Sequence, residues 1–65
     1  MKILEKMKLS EKKYINIYFN DGNILENVYC DMFHWSQDEE EENMLEIGVY
    51  LINESEIKDI EILND

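Results

Sequence analysis

The chain has 65 residues, 45% of them apolar and 34% charged, and its sixteen acidic residues against six Lys and no Arg leave a net charge of −10. Such a length makes one domain, expected over residues 1–65, that buries only about 60% of the surface its unfolded form exposes, so its stability is modest unless a partner or a second copy adds to it. A surface this acidic repels phosphate backbones and argues against direct nucleic-acid binding. No run of ~18 apolar residues or secretory h-region is present and Cys30 has no partner for an internal disulfide, so the expectation is a soluble protein of the reduced cytoplasm without membrane contact.

The charge is unevenly distributed. Residues 1–13 hold five Lys and two Glu, net +3, and the remainder holds one Lys and fourteen acids. In the first segment, "MKILEKMKLSEKK", Ile3, Leu4 and Met7 fall at helical spacing, which predicts a short amphipathic helix. The alternation of Ile3, Glu5 and Met7 leaves a first strand open as the other reading. From Tyr14 the period changes to two: Ile15, Ile17 and Phe19 point one way, Tyr14, Asn16 and Tyr18 the other. Asp21-Gly22 then predicts a hairpin. In the returning strand, "NILENVYCDMF", Val28, Cys30 and Met32 alternate with Leu25, Asn27, Tyr29 and Phe33. Large groups on both faces predict that this strand bends between two packing surfaces.

Asp38 to Glu42 are five consecutive carboxylates. Adjacent like charges do not pack against a sheet, so "SQDEEEEN" is expected to be a hairpin loop or the frayed tips of two strands. "MLEIGVYLI" then places Leu45, Ile47, Val49 and Leu51 on one face, with Gly48 marking a bulge or sharp bend. "NESEIKDIEIL" reads as a tight polar turn and a closing strand, with Ile60 and Ile62 inward and Lys58, Asp59 and Glu61 outward. The expected class is mainly β with a minor α component: a small barrel of about four to five antiparallel strands and a short N-terminal helix.

"YINIYFNDGNILENVYCDMF" followed by "LINESEIKDIEIL" resembles the strand-DG-strand opening and the closing strand of Sm-like, SH3-like barrels, over roughly residues 3–63. RNA-binding Sm-like proteins carry a Gly early in the second strand and an Arg-Gly step near the end of the fourth. Asn27 stands at the first of these places and Asn53-Glu54 follow Ile52 at the second, so the resemblance implies the fold without the RNA-binding role.

No reaction is written in these residues. Cys30 and His34 share a strand face but are separated by ~13 Å of strand, too far for one Zn²⁺ unless the strand ends and folds back, and a structural zinc takes four ligands. Nothing orients a Cys-His nucleophile, and the acidic run lacks the Asp and Gly spacing of an EF-hand loop. An exposed run also lacks the desolvation that raises a general acid's pKa. A chain this small is expected to leave little room for a pocket of ~300 Å³. The expectation is a non-enzyme without cofactor or bound metal.

Recognition is the remaining functional route, and the other reading open to the run is that Trp35 packs into the barrel while the acids keep a small protein soluble. Carboxylates spaced along a loop imitate a phosphate backbone, and Trp35 beside them offers the aromatic anchor that charge alone lacks. The expected partner-binding residues are Trp35, Asp38, Glu39, Glu40, Glu41, Glu42 and Glu46. The expected partner is a basic protein, itself a nucleic-acid binder, inhibited by this DNA mimic. In length and charge the chain resembles phage-encoded anti-CRISPR and other anti-defence inhibitors, which would place it in the host cytoplasm. The second expectation is a self-assembling Sm-like adaptor, in which the Lys-rich first segment meets the acidic face of another copy in a homo-oligomer.

Overall fold

The computed structural model describes residues 1–64, and Asp65, the last position of the expected domain, lies outside the described residues. Helix α1 (Ile3–Ser10) precedes six strands: β1 (Tyr14–Phe19), β2 (Ile24–Tyr29), β3 (Met32–His34), β4 (Met44–Ile47), β5 (Tyr50–Asn53) and β6 (Ile57–Asn64). They form two three-stranded antiparallel sheets, ordered β2-β1-β6 and β3-β4-β5.

The first segment is the helix rather than the strand. Eight residues are too few to hold a helix by propensity alone, so α1 depends on packing: Met7 and Ser10 are buried, and Ile3 lies against the core. Ser10 donates its hydroxyl to the Lys6 carbonyl at 2.6 Å, which satisfies the buried oxygen. The helix rests mainly on β6, where the Lys6 ammonium meets Asp59 at 2.6 Å. Lys12, at φ 65°, turns the chain out of the helix and into β1.

β1 is the central strand of its sheet, and its inward residues Ile15 and Ile17 are fully buried. The expected Asp-Gly hairpin joins β1 to β2: Gly22 has φ 93°, and its N–H donates to the Phe19 carbonyl at 3.1 Å. The returning strand bends as expected, and more sharply than one strand allows. It breaks at Cys30-Asp31, so its first half belongs to one sheet and its second to the other. That break raises the strand count to six, against the four to five expected. Cys30 is buried at the corner, whereas Met32 is exposed and does not share the inward face of Val28 and Cys30.

One further expectation is corrected. Leu45 and Ile47 point inward, but Val49 is 93% exposed and Leu51 56% exposed. Gly48-Val49 is the turn of a two-residue hairpin, shown by the Ile47–Tyr50 pair that flanks it. Only the glycine has positive φ, 61°, the pattern of a hairpin with Gly first in its turn. The turn restarts the alternation, so Ile52 rather than Leu51 completes the core. A 3-10 turn (Glu54–Glu56), closed by a capping box between Asn53 and Glu56, leads into β6, which buries Ile57 and Ile60.

Candidate functional site

The acidic run occupies the loop between the paired ends of β3 and β4, where His34 faces Met44. Asn43 fastens its base, accepting from the Ser36 N–H at 2.8 Å and donating to the Glu54 carboxylate at 3.1 Å. Within the loop, Asp38 Oδ1 accepts the backbone N–H groups of Glu40 and Glu41 at 2.8 and 3.2 Å, a local turn that a short carboxylate favours. Glu42 reaches the 3-10 turn, where its two oxygens accept the Ser55 N–H at 2.8 Å and the Ser55 hydroxyl at 3.0 Å.

The five carboxylates therefore divide into two roles. Asp38 and Glu42 hold the loop in shape, while Glu39, Glu40 and Glu41 are exposed and form no ion pair among the described residues. Three carboxylates without an ion pair stand on a loop whose backbone is held by Asp38 and Glu42, and they present a negative field to solvent.

Trp35 begins the loop and is 55% exposed. Its ring meets Phe33 edge-on at 5.1 Å, and Lys8 Nζ from α1 sits 4.4 Å from the ring centroid. The helix and the loop are thus joined by a cation–π contact across their opposite charges. Glu46 does not join the cluster. It lies on the β4 face, half-buried, and contacts His34 Nε2 at 2.8 Å.

Asp59 and Glu61 are likewise engaged within the fold. Asp59 is held below the usual carboxylate range by the Lys6 ammonium and then by the Ile60 N–H. Glu61 accepts from Asn16 Nδ2 at 3.0 Å and from the Tyr18 hydroxyl at 3.1 Å, and this bond raises the Tyr18 pKa. Burial pushes the Cys30 thiol up to about 11, against a weaker opposing contribution from the Met32 backbone. Among the described residues, no three His, Cys, Asp or Glu side chains gather into a group that could hold a metal ion. No described helix is long and apolar enough to cross a membrane.

Two features were not legible beforehand. The Lys8–Trp35 contact joins residues on separate elements that share no local pattern. The second is surface space: two adjoining open grooves, of about 370 and 520 Å³, lie between β2 and the β4–β5 hairpin. This corrects the expectation that little room would remain once the core was filled. The space lies outside the core, where the two sheets diverge.

The fold and the loop define a small, mainly β protein with a tethered acidic surface. No protein-family model, no curated protein and no solved structure matches this chain.

Proposed function

We propose that this chain is a non-enzymatic acidic binding protein that occupies the nucleic-acid site of a basic protein and so inhibits it, as phage anti-defence inhibitors do. The observation that carries this reading is the exposed, unpaired triplet Glu39-Glu40-Glu41 on a loop fixed by Asp38 and Glu42. Paired acids would have to exchange one partner for another on binding, whereas these three meet a basic groove at no such cost. The net charge of −10 steers encounter with a cationic surface, and short-range contact sets residence time. Trp35 supplies that contact when a guanidinium or ammonium of the partner displaces Lys8 from its ring.

The scaffold is read as an Sm-like barrel left open between its sheets. The order of helix, bent second strand, 3-10 turn and closing strand supports this. So does Asn27, whose φ of 52° is a left-handed conformation that favours Gly or Asn, at the place where the resembled family carries Gly.

The test is retention of a basic protein from bacterial lysate by the wild type and by the E39Q/E40Q/E41Q variant, at low and high salt. The variant keeps the two tethering acids, so the loop stays folded. Retention by the wild type alone, released by salt, supports mimicry. Equal retention by both forms refutes it.

A second reading, a self-assembling adaptor, is favoured by one observation: β5 and β6 each end a sheet, with no further strand beside them among the described residues. A sedimentation coefficient that stays monomeric at high concentration and at all salts excludes it.

A further inference from the structure

β2 ends its sheet, with β1 on one side and no strand on the other among the described residues. β4 does not reach it. The Asp31 N–H donates to the Glu46 carbonyl at 2.8 Å, Gly48-Val49 then turns the chain back, and the Gly48 N–H is fixed to Asp31 Oδ2 at 2.9 Å. The hairpin is too short to cover the first half of the bent strand, and the two grooves fill the uncovered length.

They form one channel. Leu25 and Tyr50 line both grooves, and the lining runs from Ile24 to Tyr29, about 17 Å at the usual rise of a strand. The floor is apolar, made by Leu25, Val28 and Ile47, while Val49 and Tyr50 stand 93% and 66% exposed along its wall. The charged residues lining it, Asp21, Asp31 and Glu56, are all carboxylates.

We propose that this channel is a docking site, distinct from the acidic loop, for an extended segment of a partner protein in which apolar residues alternate with Lys or Arg. The segment adds as a strand to the open edge of β2. Its apolar side chains enter the floor and its cations meet the three rim carboxylates, each of which accepts a neutral backbone N–H but forms no ion pair among the described residues, the pattern of strand-addition recognition. A second copy of this chain is a poorer occupant. Groove-to-groove docking would set the rim acids against their own images. The chain's Lys-rich stretch is already folded, with Lys6 on Asp59 and Lys8 over Trp35, so it offers no extended basic strand. One end of the channel, at Asp31, Gly48 and Val49, lies at the end of β4 away from the acidic loop, while the other, at Glu56, adjoins the Glu42–Ser55 tether, so shifts at 24–31 and 47–50 distinguish the two surfaces.

The test is a titration of the ¹⁵N-labelled full chain with a peptide as long as β2 that alternates Val and Lys, beside a control that alternates Val and Glu. The expected result is saturable shifts at 24–31 and 47–52 with the Val-Lys peptide, weakened about tenfold by D21N/E56Q and abolished by Y50R. Tyr50 is exposed, and the dispersion of the Y50R spectrum reports its fold. Equal shifts with the Val-Glu peptide would overturn the proposal, as would shifts confined to 38–42 or no shifts at saturating peptide. Concentration-dependent shifts of the channel residues without peptide would overturn it in favour of self-association.

Discussion

Replacing Glu42 with Ala separates the structural acids of the loop from the free ones. The change removes the acceptor for both the Ser55 N–H and the Ser55 hydroxyl, at 2.8 and 3.0 Å, and so cuts the link between the loop and the 3-10 turn. Hydrogen bonds to charged groups contribute about 1.5–3 kcal/mol each when shielded. Both partners here are exposed and water replaces much of the loss, leaving a net cost of about 1 kcal/mol. Removing one charge from a run of five acts the other way, but screening over about 8 Å at physiological salt keeps that relief to a few tenths. For a domain of this size, 1 kcal/mol lowers Tm by about 4–8 °C. Glu40→Ala relieves repulsion while breaking no side-chain bond, so its Tm stays level or rises slightly. Circular dichroism melts of the two variants beside the wild type are the assay. Coincident melts for Glu42→Ala and Glu40→Ala would refute the division of the run into tethers and free charges.

Three further outcomes are expected. Leu45→Ala opens a cavity in a fully buried position and costs about 2–5 kcal/mol, enough to leave much of a small domain unfolded; urea midpoints measure it. The Cys30 thiol, raised to about 11, stays protonated in the fold, so a thiol reagent at pH 8 labels the native protein slowly and the urea-unfolded protein fast. Because the folded value lies above the unfolded one, its contribution to stability is complete below about pH 9 and is lost as pH rises towards 11. Asp59 has the opposite sign: its lowered pKa contributes stability above the ordinary carboxylate range that is lost as pH falls through the folded value, and Lys6→Met flattens that acid limb in pH-dependent melts.

The strands and the helix were legible because a single period governs each. Ile15 and Ile17, or Ile3 and Met7, mark a buried face that burial then enforces. Reading failed where a tight turn resets the period, since Gly48 signals a bend but not that Val49 lies within it. The loop's position followed from charge, but its internal division did not. Asp38 is the one short carboxylate of the run and the one that closes a local turn, whereas Glu41 and Glu42 are identical in type and only the nearness of Ser55 sets Glu42 apart. Glu46 was grouped with the run by sign, yet strand register places it across from Met32 and beside His34. The channel was invisible because it is a consequence of a missing length of hairpin, which no residue type announces.

The central strand of the first sheet has neighbours of very different origin. β2 reaches β1 through a short hairpin, whereas β6 comes from more than forty residues further along the chain, pairing Ile17 with Ile60. β1 and β2 alone make a local hairpin with one open side, and an isolated hairpin is marginally stable at best in water. The apolar faces of Ile15 and Ile17 then wait in solution until Ile57 and Ile60 arrive, and closing so long a loop is slow. Until β6 docks, the first sheet is an apolar ribbon open to a chaperone, and the pairing of β6 with β1 is what completes it.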